Sequence, residues 1–179
     1  MPSPQAQRPA LLIVDMQVGL FHGPEQPFEG QRVLDNINQL IHSARQAGAP
    51  VIAVRHTGPQ GSPIAAGSAP WQLLPQLQLE ASDLRLDKTR PNCFVGTGLA
   101  EQLRAEQIDE LVIVGMKTQY CIDATCRAVL DLGFAAVLVE DAHTCMDTPA
   151  LPARAIIEHH NATLDGAFVR RVKTADIRF

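Results

Sequence analysis

A carboxylate, an ammonium and a thiol, at Asp15, Lys88 and Cys121, are the side chains with which this sequence could carry out acyl transfer without a catalytic histidine. Each has an ordinary alternative. An Asp after a strand caps a turn or helix, a Lys there is commonly solvated, and a Cys in a helix is commonly a small buried hydrophobe. Taken together they suggest more. A thiol in the first turn of a helix feels the positive end of the macrodipole, and a nearby Lys lowers its pKa further, so the nucleophilic thiolate becomes accessible near neutral pH. A carboxylate within reach takes the thiol proton and later returns it to a leaving amine.

The elements that must position these groups are legible as alternating strands and helices. Apolar, β-branched runs recur at Ala10–Val14, Pro50–Val54, Leu111–Gly115 and Ala135–Val139. They are too continuous for half-exposed strands and suit a parallel sheet buried on both faces. Leu84–Asp87 is a weaker strand candidate and Phe168–Val172 a plausible last strand. Helical periodicity fills Gln31–Ala47, which stops at Gly48, and also Thr97–Gln107, Gln119–Leu132 and Pro149–His160. Right-handed βαβ crossovers then predict a three-layer α/β/α sandwich with a mostly parallel six-stranded sheet, Rossmann-like in type. In such sheets ligands bind beyond the carboxyl ends of the strands. Asp15 closes the first strand, Lys88 closes Leu84-Arg85-Leu86-Asp87-Lys88, and Cys121 opens the helix after Leu111–Gly115, so all three converge on one rim. Gly58–Leu79 breaks the rhythm: it is rich in Gly and Pro, holds the only Trp, Trp71, and shows no helical period. It is expected to be a substrate-side loop or an oligomer contact, with a tolerated insertion as the alternative.

Composition bounds the rest. The 179 residues, 46% hydrophobic, suit one domain spanning 1–179 with residues 1–9 as a flexible tail. A net charge of −4 offers no basic field for nucleic acid or anionic lipid. The amino-terminal segment has no apolar signal-peptide core and no apolar run approaches membrane-span length, so a cytoplasmic location is expected. The four cysteines, at 93, 121, 126 and 145, lack zinc-knuckle or redox spacing and are expected to be free thiols.

The ordered motifs Leu12-Ile13-Val14-Asp15-Met16-Gln17 with Phe21, Lys88 with Phe94-Val95-Gly96-Thr97-Gly98-Leu99, Gly115-Met116-Lys117-Thr118-Gln119-Tyr120-Cys121 with Thr125, and Glu140-Asp141-Ala142 resemble the isochorismatase-like hydrolase family from about residue 10 to about residue 172. The resemblance implies a triad of Asp15 as general base and acid, Lys88 as the cation beside the sulfur, and Cys121 as nucleophile. It also implies a non-proline cis peptide at Met116–Lys117 and an oxyanion hole from the backbone N–H groups of Lys117 and Cys121. Nicotinamidase-type relatives carry an Asp-x-His after the second strand that holds a divalent metal. Here Val54-Arg55-His56-Thr57 stands instead, so neither a metal nor another cofactor is expected.

Isochorismate-cleaving members of that family do not carry Cys at this position, so the resemblance, with Cys121 retained, implies cleavage of a C–N bond in a small amide, carbamoyl or ureide substrate. The alternatives are vinyl-ether hydrolysis of the isochorismatase type and a non-catalytic Rossmann-like binding module. A dinucleotide binder, however, should show Gly-x-Gly-x-x-Gly where this chain has Asp15-Met16-Gln17-Val18-Gly19. Relatives commonly form homodimers or homotetramers, and the same is expected here. Phe21, His56, Trp71 and Tyr120 are the candidate substrate contacts, with packing at a subunit contact as the competing reading for Phe21 and Trp71. Cys126, about 500° of helix rotation from Cys121, is expected in the core. Cys93 could lie near the site, Cys145 with His143 is a minority second nucleophile, and His159-His160 is expected at a helix C-terminus.

Overall fold

The computed structural model describes residues 8–179. Six parallel strands, β1 (Pro9–Val14), β2 (Val51–His56), β3 (Leu84–Lys88), β4 (Glu110–Met116), β5 (Ala135–Thr144) and β6 (Arg170–Val172), form one sheet in the order β3-β2-β1-β4-β5-β6. Strand order reverses between β1 and β4, which places the switch point at the carboxyl ends of those two strands.

The two faces of the sheet are dressed by alternate residues of the same strands. Leu11 and Ile13 of β1 share a cluster with Val33, Leu34, Ile37, Leu40 and Ile41 of α2 (Gly30–Ala47), which follows the single-turn α1 (Val18–Phe21). Ala10, Leu12 and Val14 point the other way, toward Leu99 and Leu103 of α3 (Leu99–Ala105) and Cys126 and Val129 of α4 (Asp123–Asp131). This period-two division of fully buried strands yields the three layers. α2 ends as its sequence predicts: Gly48 adopts φ 71 and its N–H bonds the carbonyls of Ala44 and Arg45.

Some boundaries differ from expectation. The tail assigned to residues 1–9 is too long, because Pro9 pairs with Glu110 in the sheet and the Arg8 N–H donates to the Asp109 carboxylate at 2.7 Å; residues 1–7 lie outside the described part. β5 runs five residues past Val139, because a bulge shifts the register from Ile113↔Leu138 to Gly115↔His143 and carries Glu140-Asp141-Ala142 through the kink. The last helix, α5 (Ala153–Leu164), starts only after Pro152, where the Asp147 carboxylate accepts the Ala153 N–H at 2.7 Å. His159 and His160 therefore lie within α5 and not at its end. Gly58–Leu79 holds no helix or extended strand; it is anchored by Trp71, Leu74 and Leu77, all buried, and by a bridge between Leu73 and Gln17. No described helix is long and apolar enough to cross a membrane.

Candidate active site

At the carboxyl end of β1 the chain turns through Asp15 with φ 52, a left-handed conformation that a non-glycine residue adopts at some cost. The turn drives the Asp15 carboxylate inward, where its side chain is 1% exposed. Lys88 ends β3, two strands away and roughly 10 Å across the sheet. Only a long side chain spans that gap, and Lys88 does so fully buried, passing His56 at the end of β2. Its ammonium lies 2.8 Å from Asp15 Oδ2, 3.1 Å from His56 Nδ1 and 3.2 Å from Cys121 Sγ. Cys121 arrives from the other side of the switch point, on a π-helical turn (Thr118–Ile122) that follows β4 and runs directly into α4. The predicted helix over Gln119–Leu132 is thus wound more widely over its first turn, a feature frequent at functional sites. The Met116–Lys117 peptide preceding it is cis.

Gly115 makes this junction possible. It has φ 119, and a Cβ there would sit 2.1 Å from the Val14 carbonyl oxygen on the neighbouring strand. β1 and β4 approach so closely beside the reactive groups only because that position has no side chain.

The electrostatics revise one expectation. Burial, reinforced by the Asp15 charge and only partly offset by Lys88, pushes the Cys121 thiol up to about 12. Desolvation thus opposes the thiolate that the neighbouring ammonium favours. Burial likewise raises Asp15 above the usual carboxylate range, opposed by Lys88. Burial is the largest single influence on Lys88 and would lower it, but Asp15 and, to a smaller extent, Cys121 and Cys93 together outweigh it and hold the ammonium above its ordinary pKa. His56 is lowered by burial and by the adjacent Lys88 charge. An ammonium can only donate, so His56 Nδ1 accepts its hydrogen bond and the imidazole proton resides on Nε2.

Asp15 and Cys121 floor a pocket of about 220 Å³ walled by Leu20, Ile64, His56, Lys117 and Tyr120, with Lys88 buried beneath it. Larger depressions occur elsewhere, such as the one around Arg45, Glu80 and Asp83 at the amino ends of β2 and β3, but that one is lined by ion-paired surface groups and contains no cysteine. Of the four expected substrate contacts, His56 and Tyr120 line the pocket. Phe21 and Trp71 do not. Phe21 is buried in the core beneath α2, with its ring edge against Gly30. Trp71 is buried with its Nε1–H donating to Thr57 Oγ1 at 2.9 Å and with the Arg55 guanidinium 3.7 Å from its ring centroid. Both aromatics pack the scaffold, and Leu20 and Ile64 supply the apolar walls in their place.

Gln17, the last residue of the motif that closes β1, has a role that its sequence position did not assign. Fully buried, it accepts the His56 N–H at 2.8 Å and donates to the carbonyls of His56 and Trp71 at 3.0 and 2.8 Å. One amide thereby ties the exit of β1 to the exit of β2 and to the long loop. Its place two residues after Asp15, in an otherwise apolar stretch, was the available signal. The remaining cysteines are all free and buried. Cys126 packs in the core, the Cys93 N–H donates to Thr125 Oγ1, and Cys145 Sγ faces the Ala153 carbonyl. His143 bonds Thr118 and Asn161, so it does not activate Cys145. Among the described residues, Asp15, His56 and Cys121 are the group whose donor atoms lie close enough together, within 4.8 Å of one another, to hold a metal ion.

Comparison with known proteins shows the family to which the fold belongs. The model of the isochorismatase domain matches residues 9–166. A crystal structure of an isochorismatase family protein superposes with a TM-score of 0.88 at 32% identity, covering 93% of this chain and 98% of that one. Two streptothricin hydrolases of Streptomyces noursei are 36% and 33% identical over 80% and 84% of this chain, which spans only 52% and 61% of their length. The ureidoacrylate amidohydrolase RutB of Agrobacterium fabrum (strain C58) is 34% identical over 83 residues, 46% of this chain and 36% of its own length. The chain belongs to the isochorismatase family of hydrolases.

Proposed function

We propose that this hydrolase cleaves the C–N bond of a small amide, carbamoyl or ureide compound through a thioester on Cys121. The observation that carries the reading is the Lys88 ammonium, which bridges a buried carboxylate and a buried thiol at the floor of a small pocket. Because desolvation opposes a standing thiolate, attack and deprotonation are coupled: as the sulfur bonds to the carbonyl carbon, its proton passes to Asp15. Lys88 stabilises the negative charge that moves between oxygen and sulfur without leaving its place. Backbone N–H groups of Lys117 and Cys121 polarise the carbonyl oxygen. The C–N bond then breaks as Asp15 gives its proton to the departing nitrogen, leaving the thioester. Water adds to the thioester with Asp15 taking its proton, and that proton restores the thiol as the acid departs.

The pocket volume of about 220 Å³ lies below the usual range for drug-sized ligands, which favours a small substrate. Similarity to an amidohydrolase of a ureido compound supports a C–N bond as the target. A panel of small carboxamides, carbamoyl compounds and ureides, assayed for ammonia or amine release with and without a thiol alkylator, tests the proposal. Alkylator-sensitive release is expected, with Cys121→Ala inactive. Turnover that persists in Cys121→Ala, or cleavage confined to vinyl ethers, would overturn it.

A further inference from the structure

We infer that the Lys88 ammonium occupies a latent site for a thiophilic divalent cation such as Zn²⁺, and that such a cation inhibits the enzyme reversibly by ligation to Asp15, His56 and Cys121. The inference does not depend on which bond the enzyme cleaves. The donor atoms of these three residues lie within 4.8 Å of one another, and the ammonium sits among them at 2.8, 3.1 and 3.2 Å. A carboxylate, an imidazole and a thiol are the donor types zinc prefers, at about 2.0–2.3 Å, so each needs to close by roughly 1 Å on a cation placed where the nitrogen now stands. Three protein ligands leave a fourth position, which here faces the pocket and can hold water.

A second observation points the same way. Asp15 Oδ1 is buried without a hydrogen-bond partner, while its sister oxygen is satisfied by Lys88. An unpartnered carboxylate oxygen next to a thiol and an imidazole nitrogen leaves coordinating capacity that the single charge of the ammonium does not use. His56 Nδ1 is unprotonated and already presents its lone pair to a cation.

Exchange of the ammonium for Zn²⁺ balances simply. The S–H bond breaks, the sulfur electron pair binds the metal and the proton goes to solvent. Lys88, which cannot share the space with a dication, loses its own proton and withdraws as a neutral amine. Lys88 is thus the built-in competitor that keeps the site free at low metal concentration.

Titration of the purified protein with Cd²⁺, followed by thiolate-to-metal absorbance in the near ultraviolet, tests this directly. Zn²⁺ inhibition and its reversal by a chelator are measured in parallel. Wild type is expected to take up one equivalent. Cys121→Ser should abolish the band, His56→Ala should weaken binding by at least about tenfold, and Lys88→Ala should tighten it by at least about tenfold. A band that survives Cys121→Ser, or equal affinities in wild type and His56→Ala, overturns the assignment. Should Lys88→Ala fail to fold, the Cys121 and His56 variants still decide the question.

Discussion

The chemistry of this site turns on one proton shared among groups that burial has made reluctant to ionise. Cys121 is held near 12 and Asp15 lies above the ordinary carboxylate value, so the carboxylate is a stronger base than a free Asp. On the proposed mechanism, Asp15 must be ionised in the free enzyme. Because its pKa is raised, kcat/KM should fall with decreasing pH through a midpoint above 3.8, the ordinary Asp value. A pH–rate profile reads this, and an acid limb below that value would count against Asp15 as the base. Asp15→Asn removes the acceptor and should reduce kcat by at least about 10³-fold, the scale on which members of a catalytic unit act. His56 has a different role. With Nδ1 accepting from Lys88, its Nε2–H is available to the pocket, where it can donate to a substrate carbonyl or carboxylate. His56→Gln, which keeps a donor, should retain a lower KM than His56→Ala, while ¹⁵N chemical shifts of the wild-type ring should report the Nε2–H form at neutral pH. A protonated or Nδ1–H ring would contradict the assignment.

At the scale of elements, the site depends on how closely β1 and β4 approach. Gly115→Ala places a methyl group within 2.1 Å of the Val14 carbonyl and 2.7 Å of its nitrogen. Neither neighbour is a flexible side chain, and the φ of 119 is hostile to any L-residue. Destabilisation above about 3 kcal/mol is expected in urea or thermal unfolding, and a melt indistinguishable from wild type would show that the strands can part. The same elements show what the residues could and could not reveal in advance. Strands β1, β2, β4 and β5 were legible because they are continuous apolar runs, and α2 because its stripe ends on a glycine. The three reactive residues were legible because they stand at strand exits in a recognisable order. Three things were not legible. The π turn under Cys121 is set by tertiary packing, for which no local residue pattern speaks. Phe21 and Trp71 read as pocket walls because aromatic residues near strand exits suit either role, and only contact with Gly30, Thr57 and Arg55 distinguishes them. Cys121 read as an accessible thiolate because the helix terminus and the lysine are visible in sequence, whereas the desolvation that opposes them is not.

Across the whole molecule, both faces of the sheet are closed by helices, and the polar groups trapped between the layers are few enough to follow individually. Apart from the network around Lys88, one chain of them runs Thr118–His143–Asn161 and ends on the Glu140 carbonyl. It links the turn that carries Cys121 to β5 and to α5. Asn161 Oδ1 can only accept, so His143 donates from Nε2. Burial lowers the ring's pKa to about 4, which favours the neutral form with Nδ1 accepting the Thr118 hydroxyl proton. The unfolded chain takes up this proton near 6.5, so between those values it binds a proton that the folded state refuses. Stability from this group is fully present above pH 6.5 and is lost as pH falls toward 4, by roughly 3 kcal/mol over the window. Other groups also titrate there, so the variant difference isolates His143. His143→Gln can offer a donor to Asn161 and an acceptor to Thr118 but carries no titratable proton. Urea unfolding of both proteins from pH 4 to 7 should show the wild-type advantage shrinking, then reversing or vanishing, as pH drops. Stability curves that stay parallel across that range would mean that His143 either charges inside the folded protein or is reached by solvent, and the chain would then not be the rigid link between nucleophile turn and outer helix that its geometry describes.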